Sequence, residues 1–249
     1  MRAVLVSRVL SSVVAVAVAV LAPGHAAAAA PEAPLRVSLD RARPVRAALT
    51  LTVDPDGTTF AGVADLTVQL DRPTRTLALN AVDLTIREAT AQLGGADVPV
   101  TVTPAEPEWI TVAFDRPVRG EVQLRFAYDG LVSDTETQGV FRQREGEDWY
   151  LFTEFEPTDA RRLFPGFDQP DAKIPWTITL RVPDGLGAFA NTAAIETVDE
   201  PGPLTRVRFA ETRPLPSYLL AFAVGPFDTV DAGTAGQNHV PLRIITPRR

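Results

Sequence analysis

The segment RAALTLTVDPDGTTFAGVADLTVQL, residues 46–70, switches between apolar and polar side chains at almost every step. Ala47, Leu49, Leu51 and Val53 alternate with Arg46, Ala48, Thr50 and Thr52. Phe60, Gly62, Ala64, Leu66, Val68 and Leu70 form a second such series. A period of two places each series on one side of an extended chain, which is the pattern of a half-buried strand. Between them lies Asp54-Pro55-Asp56-Gly57, in which proline presets one backbone angle and glycine tolerates the reversal. Two strands of matched pattern across a short turn predict a β-hairpin with one buried face.

The same period recurs along the chain. Ile110, Val112 and Phe114 make a third face, Val122, Leu124, Phe126 and Tyr128 a fourth, and Trp176, Ile178, Leu180 and Val182 a fifth. Turn chemistry separates the runs at Asp71-Arg72-Pro73, Gly94-Gly95, Asp115-Arg116-Pro117, Asp184-Gly185 and Pro201-Gly202-Pro203. Tyr218 to Val224 is apolar throughout and predicts a strand covered on both faces. Val240 to Thr246 predicts a last extended run, followed by Pro247-Arg248-Arg249. After residue 30 no apolar stripe of helical period exceeds one or two turns, and no internal repeat or composition shift marks a second domain. The predicted class is all-β, an antiparallel β-sandwich.

Residues 1–30 stand apart. Arg2 and Arg8 form a basic start, Val9 to Ala22 is apolar apart from Ser11 and Ser12, and Pro23-Gly24 precedes the run Ala26 to Ala30. This is the layout of a secretory signal peptide with a small-residue cleavage site, and it predicts export to a periplasmic or extracellular space. The apolar stretch is shorter than the ~20 residues of a spanning helix. Residues 31–43 then read as a tether and residues 44–249 as the folded domain. Without Arg2 and Arg8 the 24 basic side chains become 22 against 31 acids, a net charge of −9. Such a balance argues against nucleic acid or an anionic membrane as partner once the signal is cleaved. The absence of cysteine excludes disulfides and thiolate metal sites. The roughly 220 remaining residues suffice for one sandwich with a substantial core.

The chemistry concentrates in Thr153 to Lys173, TEFEPTDARRLFPGFDQPDAK. Its three prolines and three phenylalanines set a fixed shape, unlike a common surface loop. Zinc chemistry finds no support in the residues: of two histidines His25 lies in the signal peptide, and His239 precedes Val240-Pro241, where no HExxH helix can form. A nucleophilic serine is equally unsupported, since no G-x-S-x-G occurs and Ser217 reads as a hydroxyl capping the backbone at a strand entry. Glu154 and Glu156 remain. At positions i and i+2 of a strand they would share a face, with Cα atoms about 6.5 Å apart. Such a pair can bind a cation such as an ammonium group, or divide into acid and base as in glycoside hydrolases. The plain alternative is two solvated glutamates paired with Arg161 and Arg162. Pro157 to Arg162 reads as a short helical turn, and Phe164 and Phe167 as loop anchors packed on the sandwich.

These residues resemble the hallmark of the amino-terminal domain of aminopeptidase N-type zinc aminopeptidases, T-Q-x-E-P-x-x-A-R-x-x-F-P-C-F-D-E-P-x-x-K. Thr153, Glu156, Pro157, Ala160, Arg161, Phe164, Pro165, Phe167, Asp168, Pro170 and Lys173 match it. Pro216-Ser217-Tyr218-Leu219-Leu220-Ala221-Phe222 is similar to the family's S-T-Y-L-L-A-F strand, and Val240-Pro241-Leu242-Arg243 to the lead-in of its catalytic domain. The likeness covers roughly residues 44 to 246. It implies a saddle-like β-sandwich laid against a thermolysin-like catalytic domain. It implies further that Glu156 binds the free α-amine of a peptide and that Glu154 lines the pocket for the first side chain. Three positions depart from the pattern: Glu154 stands where the family has Gln, Gly166 where it has Cys, and Gln169 where it has Glu. The HExxH motif is missing, and Met1 is the only methionine, so the family's Gly-x-Met-Glu-Asn strand is missing as well.

The resulting expectation is a non-catalytic amino-terminal domain of an exported zinc aminopeptidase. No catalytic residue and no metal ligand is assigned to this chain; zinc is implied only in the absent catalytic domain, supplied in cis or in trans. The expected ligands are peptide amino termini. The alternative is a stand-alone secreted module that binds peptide amino termini without hydrolysis, and a two-carboxylate hydrolase is a more distant one.

Overall fold

The computed structural model describes residues 41–105 and 107–248. The signal peptide read over 1–30 and the tether as far as residue 40 lie outside them. The hairpin forms as expected from β1 (Ala42–Thr52) and β2 (Thr59–Asn80), with Leu49 opposite Ala64 and Leu51 opposite Gly62. Asp54 closes the turn twice: its carbonyl accepts from the Gly57 N–H at 3.0 Å and its Oδ1 from the Asp56 N–H at 3.0 Å. The predicted inward residues of both strands are buried. The first strand opens at Ala42, two residues ahead of the expected domain start. Ala42 is buried opposite Leu70, and Arg43 forks onto the carboxylate of Asp71.

β2 runs for 22 residues and pairs along most of its length with β6 (Trp109–Leu131), which runs for 23. Both pass straight through stretches that look like turns in the sequence, Asp71-Arg72-Pro73 and Asp115-Arg116-Pro117. The register slips between Leu70 and Thr74 and again between Thr74 and Thr76. Each proline falls inside a bulge, where its missing N–H removes no ladder bond. Proline therefore bends this pair of strands without ending it.

The remaining strands are β3 (Thr85–Leu93), β4 (Ala96–Val98), β5 (Val100–Ala105), β7 (Gly139–Glu145), β8 (Asp148–Glu154), β9 (Trp176–Pro183), β10 (Gly187–Ala190), β11 (Ala194–Glu200), β12 (Leu204–Phe209), β13 (Phe222–Gly225), β14 (Phe227–Ala235) and β15 (Val240–Pro247). Together with β1, β2 and β6, six of these form a nine-stranded sheet in the order β11-β12-β9-β1-β2-β6-β3-β4, with β5 also on β6. A second sheet runs β10-β13-β8-β7, and β14-β15 stand as a two-stranded ribbon. As expected, the strands pair antiparallel throughout except for β1 with β9, which run parallel with Leu49 beside Ile178. One continuous core includes residues of both larger sheets. It joins Leu51, Val68, Phe126 and Trp176 of the first to Val140, Leu151 and Val224 of the second.

The segment Tyr218 to Val224 differs from its prediction. Ser217–Leu219 form a single 3-10 turn, and the strand begins only at Phe222. Leu219 is 48% exposed and Ala221 is exposed, so the run is not covered on both faces. An all-apolar run carries no period, and here Pro216 and an inward hydroxyl at Ser217 set the conformation instead.

Candidate functional site

β8 delivers the two glutamates to the rim of the smaller sheet. It is paired with β7 along its length, ending with Glu154 opposite Gly139. Against β13 the backbone ladder stops at Phe152 opposite Ala223. Thr153 takes over there: its Oγ1 accepts from the Phe222 N–H at 3.0 Å and donates to the Phe222 carbonyl at 3.4 Å. The strand end that precedes the site is therefore held on both sides.

Glu154 is the last strand residue and is exposed; Phe155 then turns into the core, where it is 1% exposed. Glu156 is exposed again but sits in a turn, and the bond to Pro157 is cis. The glutamates consequently do not stand side by side on one strand face. Glu154 folds over the turn, and its Oε1 accepts the Glu156 backbone N–H at 2.9 Å. One carboxylate serves as a brace for the residue that carries the other. The pairing considered with Arg161 and Arg162 is not formed, because both arginines bind other acids. Arg161 bridges Glu108 and Asp168, and Arg162 bridges Asp83 and Asp159. Burial opposes the charge on Arg162, but its bonds to Asp159 and Asp83 outweigh this and hold the guanidinium above its ordinary range. Among the described residues no ion pair engages the Glu156 carboxylate.

Behind this rim the loop from Ala160 to Pro170 is clamped to the large sheet. A short 3-10 turn, Ala160–Arg162, follows the bond from the Asp159 N–H to the Phe155 carbonyl (2.9 Å), which matches the predicted helical turn. Asn80 and Gly166 exchange backbone bonds of 2.8 and 3.0 Å, and the Val82 N–H reaches the Arg161 carbonyl at 2.9 Å. Phe164 and Phe167 are buried anchors, as expected, and the Phe164 ring meets Trp176 edge-on at 5.2 Å. Position 166 lies so close to Phe164 that a Cβ there would come within 2.4 Å of the ring, so glycine suits this packing where the family pattern has Cys.

The residues that sequence reasoning missed are the polar ones beneath the loop. Asp168 and Ser217 are both buried, and Ser217 Oγ donates to Asp168 Oδ1 at 2.7 Å rather than capping a backbone group. Glu108, from a separate loop, joins through Arg161. One signal in the sequence pointed there: an aspartate enclosed by Phe164, Phe167 and two prolines must find partners if the aromatics are buried.

The outer face of the smaller sheet adds an apolar surface. Tyr150, Phe152 and Glu154 alternate onto that side of β8, and Phe227 contacts Tyr150, Phe152 and Phe189 with ring centroids 4.9 to 6.0 Å apart. A shallow trough of about 280 Å³ lies between Phe152 and Phe189, with Ala190, Ala221 and Ala223 also lining it. The residues lining the trough carry no charge, and neither Glu154 nor Glu156 is among them. Among the described residues no group of three or more His, Asp or Glu side chains is placed to hold a metal ion, and His239 lies exposed in the β14–β15 turn.

Comparison with known proteins agrees with this architecture. Residues 43–219 match the peptidase M1 N-terminal domain. The chain is 36% identical over 206 residues to aminopeptidase M1-C of Oryza sativa subsp. japonica, a match covering 80% of this chain and 23% of that protein. It is 32% identical over 203 residues to aminopeptidase M1 of Arabidopsis thaliana (77% and 23%) and 31% identical over 205 residues to aminopeptidase 2 of Candida albicans (79% and 21%). The matched region thus spans less than a quarter of these relatives. With the sheets, the clamped loop and the matched span in agreement, the chain belongs to the family of peptidase M1 N-terminal domains.

Proposed function

We propose that this domain forms the amine-anchoring wall of an aminopeptidase site, with Glu156 engaging the free α-ammonium of a peptide and Glu154 bordering the space for its first side chain. The observation that carries the reading is the disposition of Glu156. Its carboxylate is exposed and, among the described residues, without an ion-pair partner, on a turn braced by Glu154 and clamped from below. A carboxylate attracts a terminal ammonium, whereas an internal amide carries no charge, and the difference grows when the site is closed from water. Bond cleavage itself falls to a zinc-bearing catalytic domain supplied in cis or in trans. Glu154, carboxylate rather than amide, adds negative charge next to Glu156 on the same turn.

Reconstitution tests this reading. The chain is added to, or fused with, a peptidase M1 catalytic domain stripped of its own amino-terminal domain. Restored cleavage of free-amine peptides, weakened by Glu156→Ala and to a smaller degree by Glu154→Gln, supports the assignment. A chain that binds free-amine peptides but neither associates with nor stimulates the catalytic domain supports the stand-alone module instead. Export belongs to the same reading, with cleavage between Ala26 and Pro31; a cytosolic chain that keeps Met1 or Arg2 by mass spectrometry contradicts it.

A further inference from the structure

The amine-anchor reading leaves one buried acid of the signature loop without a role. Asp168 is 4% exposed, enclosed with the apolar anchors Phe164 and Phe167. Its Oδ2 accepts from the Arg161 backbone N–H at 3.2 Å and from Arg161 Nε at 2.9 Å. Its Oδ1 accepts from Ser217 Oγ at 2.7 Å. The Asp168 N–H donates to Asn80 Oδ1 at 3.2 Å, and its carbonyl accepts from Arg161 Nη2 at 3.4 Å. Three segments far apart in sequence meet at this one residue: the signature loop and the 3-10 turn Ser217–Leu219 on its carboxylate, and the end of β2 on its backbone N–H. Hydrogen bonds to an ionised, desolvated carboxylate are the strong ones, and they are directional.

The consequence reaches Glu156 through the backbone. The turn that bears it is pinned at one end by Phe155, buried and bonded through its carbonyl to the Asp159 N–H. At the other end it is pinned by Arg161, whose backbone N–H and Nε both bond Asp168 while its Nη1 pairs with Glu108. Between these two pins only residues 156–160 remain, and Glu154 holds the first of them. We propose that Asp168 is a positioning residue: through Arg161 and Ser217 it fixes the turn that aims Glu156, so that the carboxylate meets a peptide ammonium already oriented. The proposal rests on the amine-anchor reading. A pre-oriented carboxylate loses little conformational freedom on binding, so loosening the latch lowers affinity without removing any group that touches the ligand.

The test uses the whole chain and two probes, the tripeptide Leu-Gly-Gly and its N-acetylated form. NMR titration gives affinities, and hydrogen exchange reads the loop. Asp168→Asn keeps the shape and removes the charge; Ser217→Ala removes one donor and serves if the first variant folds poorly. In Asp168→Asn, amides of residues 156–163 are expected to exchange about tenfold faster or more, while those of β1, β2 and β6 keep their protection. The free-amine peptide is expected to bind about 3- to 10-fold more weakly, Ser217→Ala shifting it less in the same direction, and Asp168→Glu is expected to recover part of the loss. Unchanged exchange at 156–163 in both variants overturns the latch whatever the peptide does. Faster exchange with unchanged peptide affinity overturns the positioning role and leaves the anchor reading standing. If Glu156→Ala binds the free-amine peptide as the parent does, or the parent does not prefer it to the acetylated form, the anchor reading fails and the proposal fails with it.

Discussion

At the residue scale, two buried side chains carry consequences that can be measured. Asp168 and Arg161 form an ion pair with side chains only 3% and 12% exposed. Replacing one partner leaves the other buried and uncompensated, so Asp168→Ala is expected to lower unfolding stability by about 3–5 kcal/mol, read by denaturant titration. Tyr128 is the opposite case: it is fully buried, and among the described residues its hydroxyl has no hydrogen-bond partner. It presses against Gly62, where a Cβ would come within 2.6 Å of the hydroxyl oxygen. Burial pushes its ionisation well above the ordinary value of 10.0. The folded state therefore keeps a proton that the unfolded chain releases, so this contribution to stability is complete below pH 10 and declines as the pH rises above it. Tyr128→Phe is expected to remove that alkaline decline while leaving stability at pH 7 equal or slightly higher, since no hydrogen bond is lost. Chemical denaturation of both proteins at pH 7 and above pH 10 checks it; an equal alkaline decline in both contradicts it.

At the element scale, what the sequence disclosed follows from which physical signal each segment carries. Alternation made the inward faces of β1, β2, β6 and β9 legible, because one buried side forces a period of two. Proline at 73 and 117 was misread, because the same residue that ends a strand also fits a bulge, and only the partner's register separates the cases. Glu154 and Glu156 were legible as a pair, yet their geometry was not. Spacing places two residues on a common face only if the strand continues, and β8 ends at the first of them. The Asp168 network was invisible to any local pattern, since Asn80, Glu108, Arg161 and Ser217 come from four separate segments. The ribbon β14–β15 shows the other limit. Val230, Leu242 and Ile244 lie on one side of it and are 42 to 55% exposed. A lone two-stranded ribbon is marginal in water, so its amides are expected to exchange far faster than those of β2 and β6. The same apolar side is expected to bind a hydrophobic dye, and Val230→Lys with Ile244→Lys to abolish much of that signal. A ribbon as protected as β2, with no dye response, contradicts this.

At the scale of the whole molecule, the larger sheet provides the platform and the smaller sheet provides the edge from which β8 presents its acids. The core shared by the two sheets anchors Trp176, Phe164 and Phe155, and through them the loop that shapes the site. On the proposed reading the two carboxylates engage a peptide end and cleavage falls to another domain, so the purified chain alone is expected to release no amino acid from aminoacyl substrates. Chelator-sensitive aminopeptidase activity in that sample contradicts the division of labour. The most direct measurement of the central claim is the ratio of kcat/KM between a free-amine peptide and its N-acetylated counterpart, taken with the chain joined to a peptidase M1 catalytic domain. The account predicts that Glu156→Ala weakens transition-state binding of the free-amine peptide by about 2–4 kcal/mol and collapses the ratio accordingly. A ratio unchanged by Glu156→Ala would contradict it.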